Sequence, residues 1–223
     1  PNIMYASSQY GNFGKSTNRG QSFNATFNLP PNGTGQWVTP ILIDPNNDNV
    51  VYIGYDQLWK TTNAGLSFSQ TSSSIAGNTA GIDVIAVAPS NSNVVYVGIN
   101  DDVYRSSNGG TSWTLISGNI TNTRSVTDIA ISDVDENHIW ITKSGYDNGT
   151  KVFESINAGA NWMNISGSLP NLPVNTIIYQ NGSNGAIYVG TDIGVYYRDA
   201  GASDWTAFMN GLPNTIVNDL EIH

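Results

Sequence analysis

The chain has 223 residues, 39% of them apolar and only 11% charged, with a formal net charge of −9. Eight Lys plus Arg leave no basic footprint for nucleic acid or for anionic lipid, and the absence of cysteine excludes disulfides and thiolate metal sites. No apolar run approaches the roughly 18 residues that a membrane-spanning helix needs, so no membrane insertion is expected.

The chain opens in mid-strand, with alternation through Ile3 to Ser7, and reads as an excised or mature piece. A turn motif follows: Ser16-Thr17-Asn18-Arg19-Gly20-Gln21-Ser22-Phe23. After a polar loop the pattern restarts. Val50 to Gly54 alternates as a strand, Leu58 to Lys60 as a second, and Thr61-Thr62-Asn63-Ala64-Gly65-Leu66-Ser67-Phe68 repeats the motif. An apolar strand at Ile82 to Val87 ends in an Asn/Pro turn at Ala88 to Asn93; the earlier copy of that turn is Asp44 to Asn49. Strands at Val94 to Gly98 and Val103 to Arg105 then lead into Ser106-Ser107-Asn108-Gly109-Gly110-Thr111-Ser112-Trp113. The next unit runs through Thr127 to Ile131, His138 to Thr142 and Val152 to Glu154, ending in Ser155-Ile156-Asn157-Ala158-Gly159-Ala160-Asn161-Trp162. The last has strands at Ala186 to Gly190 and Val195 to Arg198, a degenerate motif at Asp204-Trp205, and a final strand at Thr215 to Ile222.

The closing aromatics fall at 23, 68, 113, 162 and 205, at spacings of 45, 45, 49 and 43 residues. That is the period of a four-stranded propeller blade. Period-2 strands between strong turn signals predict antiparallel sheet. No window sustains a 3.6-residue period, so helix is expected to be nearly absent. The fold class is therefore all-β: a propeller of four-stranded antiparallel blades, read as one domain or propeller segment over residues 1–223.

The motif resembles the Asp-box, or BNR repeat, Ser-x-Asp-x-Gly-x-Ser/Thr-Trp, with Asn18, Asn63, Asn108 and Asn157 at the Asp position. An Asn side chain keeps the carbonyl that accepts backbone N–H bonds across a turn. Gly20, Gly65, Gly110 and Gly159 can adopt positive φ, and Phe23, Phe68, Trp113 and Trp162 fill the space between blades. Sialidases, two-propeller xyloglucan hydrolases, sortilin-type receptors and a photosystem-assembly factor carry such boxes. The resemblance implies a structural role for them, on turns remote from the usual ligand face. The last third, from Gly194 to Asp199, through Trp205 and Asn210 to Asn214, to Asp219 to His223, is similar to propeller repeats of large secreted or surface proteins of Bacteroidetes. That likeness implies an extracellular location beside other domains of a larger parent chain.

Strands are lettered A to D outward from the axis. The chain then starts at B and ends at A, which makes five blades if its ends pair. The rival is a segment of a larger propeller, and the reading favours that larger parent.

The resemblance places ligands on the face made by the D-to-A and B-to-C loops. Candidates there are Trp37, which could stack on a sugar, and Asp101, Asp102, Tyr146 and Asp147. Asp56, Asp101 and Asp192 recur at one point of the repeat, which favours turn chemistry. A glycosidase needs two facing carboxylates, and a sialidase also needs an arginine cluster. The four arginines, Arg19, Arg105, Arg124 and Arg198, show no triad. The two histidines, His138 and His223, stand alone, so zinc is not expected. Asp133-Val134-Asp135-Glu136 lacks the Gly of a calcium loop. No phosphate loop, nucleotide fingerprint or Gly-x-Ser-x-Gly is present. No metal, cofactor or catalytic residue is assigned. The reading is a non-catalytic extracellular module for a protein or glycan ligand, or a scaffold. The alternative is a xyloglucanase-like or sialidase-like hydrolase whose site is completed elsewhere.

Overall fold

A computed structural model describes residues 2–25, 35–72, 75, 77 and 80–222. The chain folds as five antiparallel meanders. The first blade has β1 (Met4–Ser8), β2 (Asn12–Ser16) and β3 (Asn24–Ala25). The second has β4 (Ile41–Asp44), β5 (Asn47–Gly54), β6 (Leu58–Thr61) and β7 (Ser69–Gln70). The third has β8 (Val84–Ala88), β9 (Asn91–Ile99), β10 (Asp102–Ser106) and β11 (Thr114–Leu115). The fourth has β12 (Val126–Ile131), β13 (Ile139–Lys143), β14 (Val152–Ser155) and β15 (Met163–Asn164). The fifth has β16 (Val174–Tyr179), β17 (Ile187–Thr191), β18 (Gly194–Arg198) and β19 (Thr206–Ala207). Four sheets have four strands in sequence order and the first has three. Among the described residues the helical element is one 3-10 turn, Gln9–Gly11.

The turns expected at Asp44 to Asn49 and Ala88 to Asn93 are tighter than their composition suggests. Asp44 already pairs with Asn47, and Ala88 with Asn91. The final strand expected at Thr215 to Ile222 forms no ladder. It still begins as the other inner strands do: Val217 donates its N–H to the Thr191 carbonyl, as Ile82 does to Tyr55.

The apolar core is divided among the seams between successive blades. Phe13, Val51, Ile53 and Phe68 fill the first seam. Tyr52, Leu58, Ile85 and Tyr104 fill the second, with Trp113 packed against them. Tyr96, Val103, Ile129 and Phe153 fill the third with Trp162, and Trp140, Val152, Ile177 and Trp205 fill the fourth. Strands in such seams are covered on both faces, so their apolar runs are nearly continuous.

The box aromatics are the pegs of these seams. Each belongs to one blade and inserts against the blade before it. The Trp162 indole donates to the Ile116 carbonyl, and that of Trp205 to the Ile165 carbonyl, both at 2.7 Å. Trp113 donates to the Ser72 hydroxyl, and Phe68 meets Phe13 edge-on at 5.2 Å. Phe23 departs from the expected role: it is 45% exposed.

Each box closes on a buried hydroxyl that precedes the Asn by two residues. Ser16, Thr61, Ser106 and Ser155 are all 1% exposed. Each accepts the N–H of the box glycine, at 2.9, 3.1, 2.9 and 2.8 Å. Each also donates to the Asn carbonyl. That carbonyl in turn accepts the N–H of Ser22, Ser67, Ser112 or Asn161 across the turn.

Candidate functional site

The B-to-C turns and D-to-A loops lie at the strand ends opposite the boxes, because each blade is an up-and-down meander. On this face a run of hydrogen bonds, continued through adjacent main chain, takes in two of the sequence-predicted residues, Asp101 and Asp147. Beside Trp37, Gln36 donates to the Gly81 carbonyl and hydrogen-bonds the Asp83 side chain. Asp83 accepts the Asn100 N–H at 2.7 Å. The neighbouring Asp101 carbonyl accepts the Lys143 ammonium at 2.7 Å, and the Arg124 carbonyl accepts the same group at 3.1 Å. Arg124 in turn pairs with Asp147 at 2.6 Å. The run crosses from the second blade to the fourth.

The fourth-blade loops are built rigidly. Asn122 donates to the Thr150 carbonyl and accepts the Arg124 N–H. Gly145 sits at φ +83°, and the aliphatic stem of Arg124 occupies the space a Cβ would need. Arg124 thereby lies flat across the turn and points its guanidinium at Asp147. The pair is exposed, at 56% and 42% for the two side chains. Tyr146 next to it is 63% exposed. Beneath, Lys151 is fully buried and donates to the Gly145 carbonyl.

Electrostatics separate the acidic groups. The hydrogen bond and charge of Arg124 hold Asp147 below the ordinary carboxylate range. Asp102 faces its own blade: it accepts the Ser117 hydroxyl at 3.0 Å and the Tyr104 hydroxyl at 3.4 Å. This candidate is thus already engaged by two hydroxyls of its own blade. Asp101 contributes its main-chain carbonyl to Lys143. Asp192 accepts the side chain of Asn175, on the inner strand of its blade.

Two carboxyls that the sequence did not single out are perturbed. Burial raises Asp83, against the opposing bonds from Asn100 and Gln36. Burial also raises Asp128, which accepts bonds from Thr176, Ile177 and Ile129. Asp128 ties the inner strand β12 to β16, so it belongs to the blade seam. Lys143 is completely buried, and burial pushes its ammonium down to about 8, against the pull of Asp101 and Asp102. The signal for all three was weak, because a single polar residue beside an apolar strand says nothing of the neighbouring blade that covers it.

Of the four arginines, Arg124 reaches this face. Arg105 is held by the Tyr96 hydroxyl and Asn137, and Arg198 by the carbonyls of Ile165 and Ala202. Arg19 lies in a box and bonds Asn2. A single arginine cannot make the cluster that a carboxylated sugar requires. Among the described residues, no group of three or more His, Asp or Glu is arranged to hold a metal. His138 bonds Glu154 instead, at 2.8 Å. Asp133 accepts the Gly182 N–H, and Asp135 accepts the Asn137 N–H.

Trp37 is 62% exposed and meets Tyr10 edge-on, at 5.5 Å and 88°. Tyr10 comes from the B-to-C turn of the first blade, so the pair joins two blades. The loop of residues 28–37 also holds residues outside the described ones. No helix among the described residues is long and apolar enough to cross a membrane.

No protein-family model matches the sequence, and no curated protein matches it. Solved structures do match in shape. An ancestral GH74 enzyme has 22% identity and a TM-score of 0.74, over 96% of this chain and 30% of that one. The GH74 xyloglucanase of Xanthomonas campestris has 15% identity and a TM-score of 0.72, over 92% of this chain and 36% of that one. YCF48 bound to D1 peptide has 13% identity and a TM-score of 0.59, over 92% of this chain and 62% of that one. The chain thus spans about a third of the length of the GH74 enzymes it matches. At these identities the likeness shows the β-propeller fold.

Proposed function

We propose that the chain is a non-catalytic, glycan-binding propeller module of a secreted or surface protein, with its ligand on the face of D-to-A and B-to-C loops. The observation that carries this reading is the state of that face. Trp37 and Tyr146 are exposed at its two ends, while Asp102 and Asp147 are already hydrogen-bonded or ion-paired. Aromatic faces plus neutral donors and acceptors can hold a sugar without net charge. The GH74 hydrolases of similar fold support a glycan as the ligand class.

A hydrolase needs a protonated acid and an ionised partner flanking one bond. Asp83 is raised and Asp147 lowered, which is the observation favouring that second reading. They belong to different blades, however, with the buried Lys143 in the run between them. The test is a panel of neutral polysaccharides and sialosides, read for binding and for product release. Binding without turnover supports the module. Turnover abolished by Asp83→Asn or Asp147→Asn, with the fold intact, replaces it by the hydrolase.

A further inference from the structure

Tyr10 adopts a left-handed backbone conformation, φ +62° and ψ +23°. For a residue with a Cβ this costs free energy, and in tight turns the position normally goes to Gly, Asn or Asp. Among the described residues, the other non-glycine residues at positive φ are Arg19, Ala64, Asn100 and Ala158. Three of these sit in boxes and the fourth is an Asn. Among the described residues, Tyr10 is the aromatic held in this way. Strain of this kind persists where surrounding structure over-determines it.

The surroundings do so here. The buried Tyr55 of the second blade donates its hydroxyl to the Gly11 carbonyl at 2.6 Å. A Cβ on Gly11 would overlap the Tyr55 ring. Thr39 closes the Trp37 side by donating to the Gln36 carbonyl. Two locked backbones thus hold the rings of Tyr10 and Trp37 at right angles, 51% and 62% exposed. A packing role would bury such rings, since burial is what makes an aromatic side chain stabilising.

We infer that Tyr10 and Trp37 form the two walls of a subsite for one neutral, equatorially substituted pyranose ring. This inference rests on the glycan-binding reading and names its contact. A ring whose hydroxyls are all equatorial presents flat C–H faces, which stack on one aromatic wall while an edge meets the other. The polar side chains beside the two rings in sequence, Gln36 and Thr39 around Trp37 and Asn12 after Tyr10, are neutral, which suits hydroxyls; the Asp83 carboxyl bonded to Gln36 disfavours a carboxylate or phosphate. Two rings cover the area of one sugar, far below the roughly 800 Å² per partner of a standard protein interface.

The experiment titrates the full chain with cellotetraose, by calorimetry and by tryptophan fluorescence. Trp37→Ala and Tyr10→Asn should each weaken binding at least about tenfold, and Tyr10→Phe should keep it. Because Asn accepts the left-handed conformation, Tyr10→Asn should melt no lower than the parent chain, which separates lost binding from lost folding. If the parent chain binds other panel glycans, but not cellotetraose or with no loss in Tyr10→Asn, this subsite is wrong and the module reading stands. If no glycan binds and a displayed peptide does, both fall.

Discussion

The ammonium group of Lys143 lies 2.7 Å from the main-chain carbonyl of Asp101, across the seam between the third and fourth blades. A second carbonyl, that of Arg124, completes its shell at 3.1 Å. Burial pushes this ammonium to about 8. Between about 8 and the ordinary value of 10.5 the folded chain therefore binds fewer protons at this site than the unfolded chain. Stability rises with pH wherever the unfolded state holds more protons, so the contribution is lowest below 8 and grows above it. Buried Tyr55, pushed up to about 12, reverses the trend above 10, where the unfolded phenol ionises first. Melting temperature should climb from pH 8 to 10 and then fall. Lys143→Met should flatten the climb, leaving the part that burial of Lys151, also lowered, contributes, and at pH 7 it should cost about 1–3 kcal/mol for each carbonyl left without a donor. An unchanged pH slope in that variant would contradict the assignment.

The boxes should tolerate loss of their asparagine better than loss of their hydroxyl. Asn108 is exposed, whereas Ser106 is buried and holds the Gly110 N–H. Asn108→Ala should cost about 0.5–1.5 kcal/mol, and Ser106→Ala, which strands a buried donor, about 1–3 kcal/mol. Neither should alter glycan affinity, since the boxes lie on the opposite face. Urea denaturation of the two variants ranks them; equal costs, or a large affinity loss, would count against this picture.

The residue between the box Asn and Gly is left-handed in every full box. Ala158 has φ +58°, and the third blade alone uses a glycine there, Gly109 at +68°. Ala158→Gly should therefore stabilise the chain by about 0.5–1 kcal/mol, after the added backbone entropy of the unfolded state is offset against the relieved strain. The same change at Ala160, outside the left-handed pair, should not. Paired thermal melts of the two variants decide.

The Arg124–Asp147 pair is exposed, so its removal should leave the melting temperature unchanged. Its local effect should be plain. With Arg124→Ala, the Asp147 carboxyl should return upward to the ordinary range, a shift readable by carboxyl carbon NMR. Any ligand that uses this end of the face should bind less tightly.

The blades were legible in the sequence because their signals are local. A period-2 strand, a Gly-bearing turn and an aromatic at fixed spacing lie within a dozen residues. Val50 to Gly54 and Val94 to Gly98 accordingly fall within β5 and β9. The outer strands were less legible, because β3, β7, β11, β15 and β19 are only two residues long. The candidate face was legible in part: Trp37, Tyr146 and Asp147 were named from loop position. Lys143, Asp83 and the Tyr10 wall were not, since each depends on a partner in the next blade. Lys143 meets a carbonyl 42 residues away, and the Tyr55 that locks Gly11 is 44 away.

Every seam in this chain is one joint used again: an aromatic peg from one blade, seated against its predecessor, beside two inner strands. A gene with such joints can duplicate or delete a whole blade without redesigning an interface, because the unit gained or lost carries one peg and one socket. The loops that would recognise a ligand hang from the other end of the same strands. Loops that act within one blade can therefore change without disturbing copy number, whereas Tyr10 with Trp37, drawn from two adjoining units, is the kind of contact that a gained or lost blade would make or unmake.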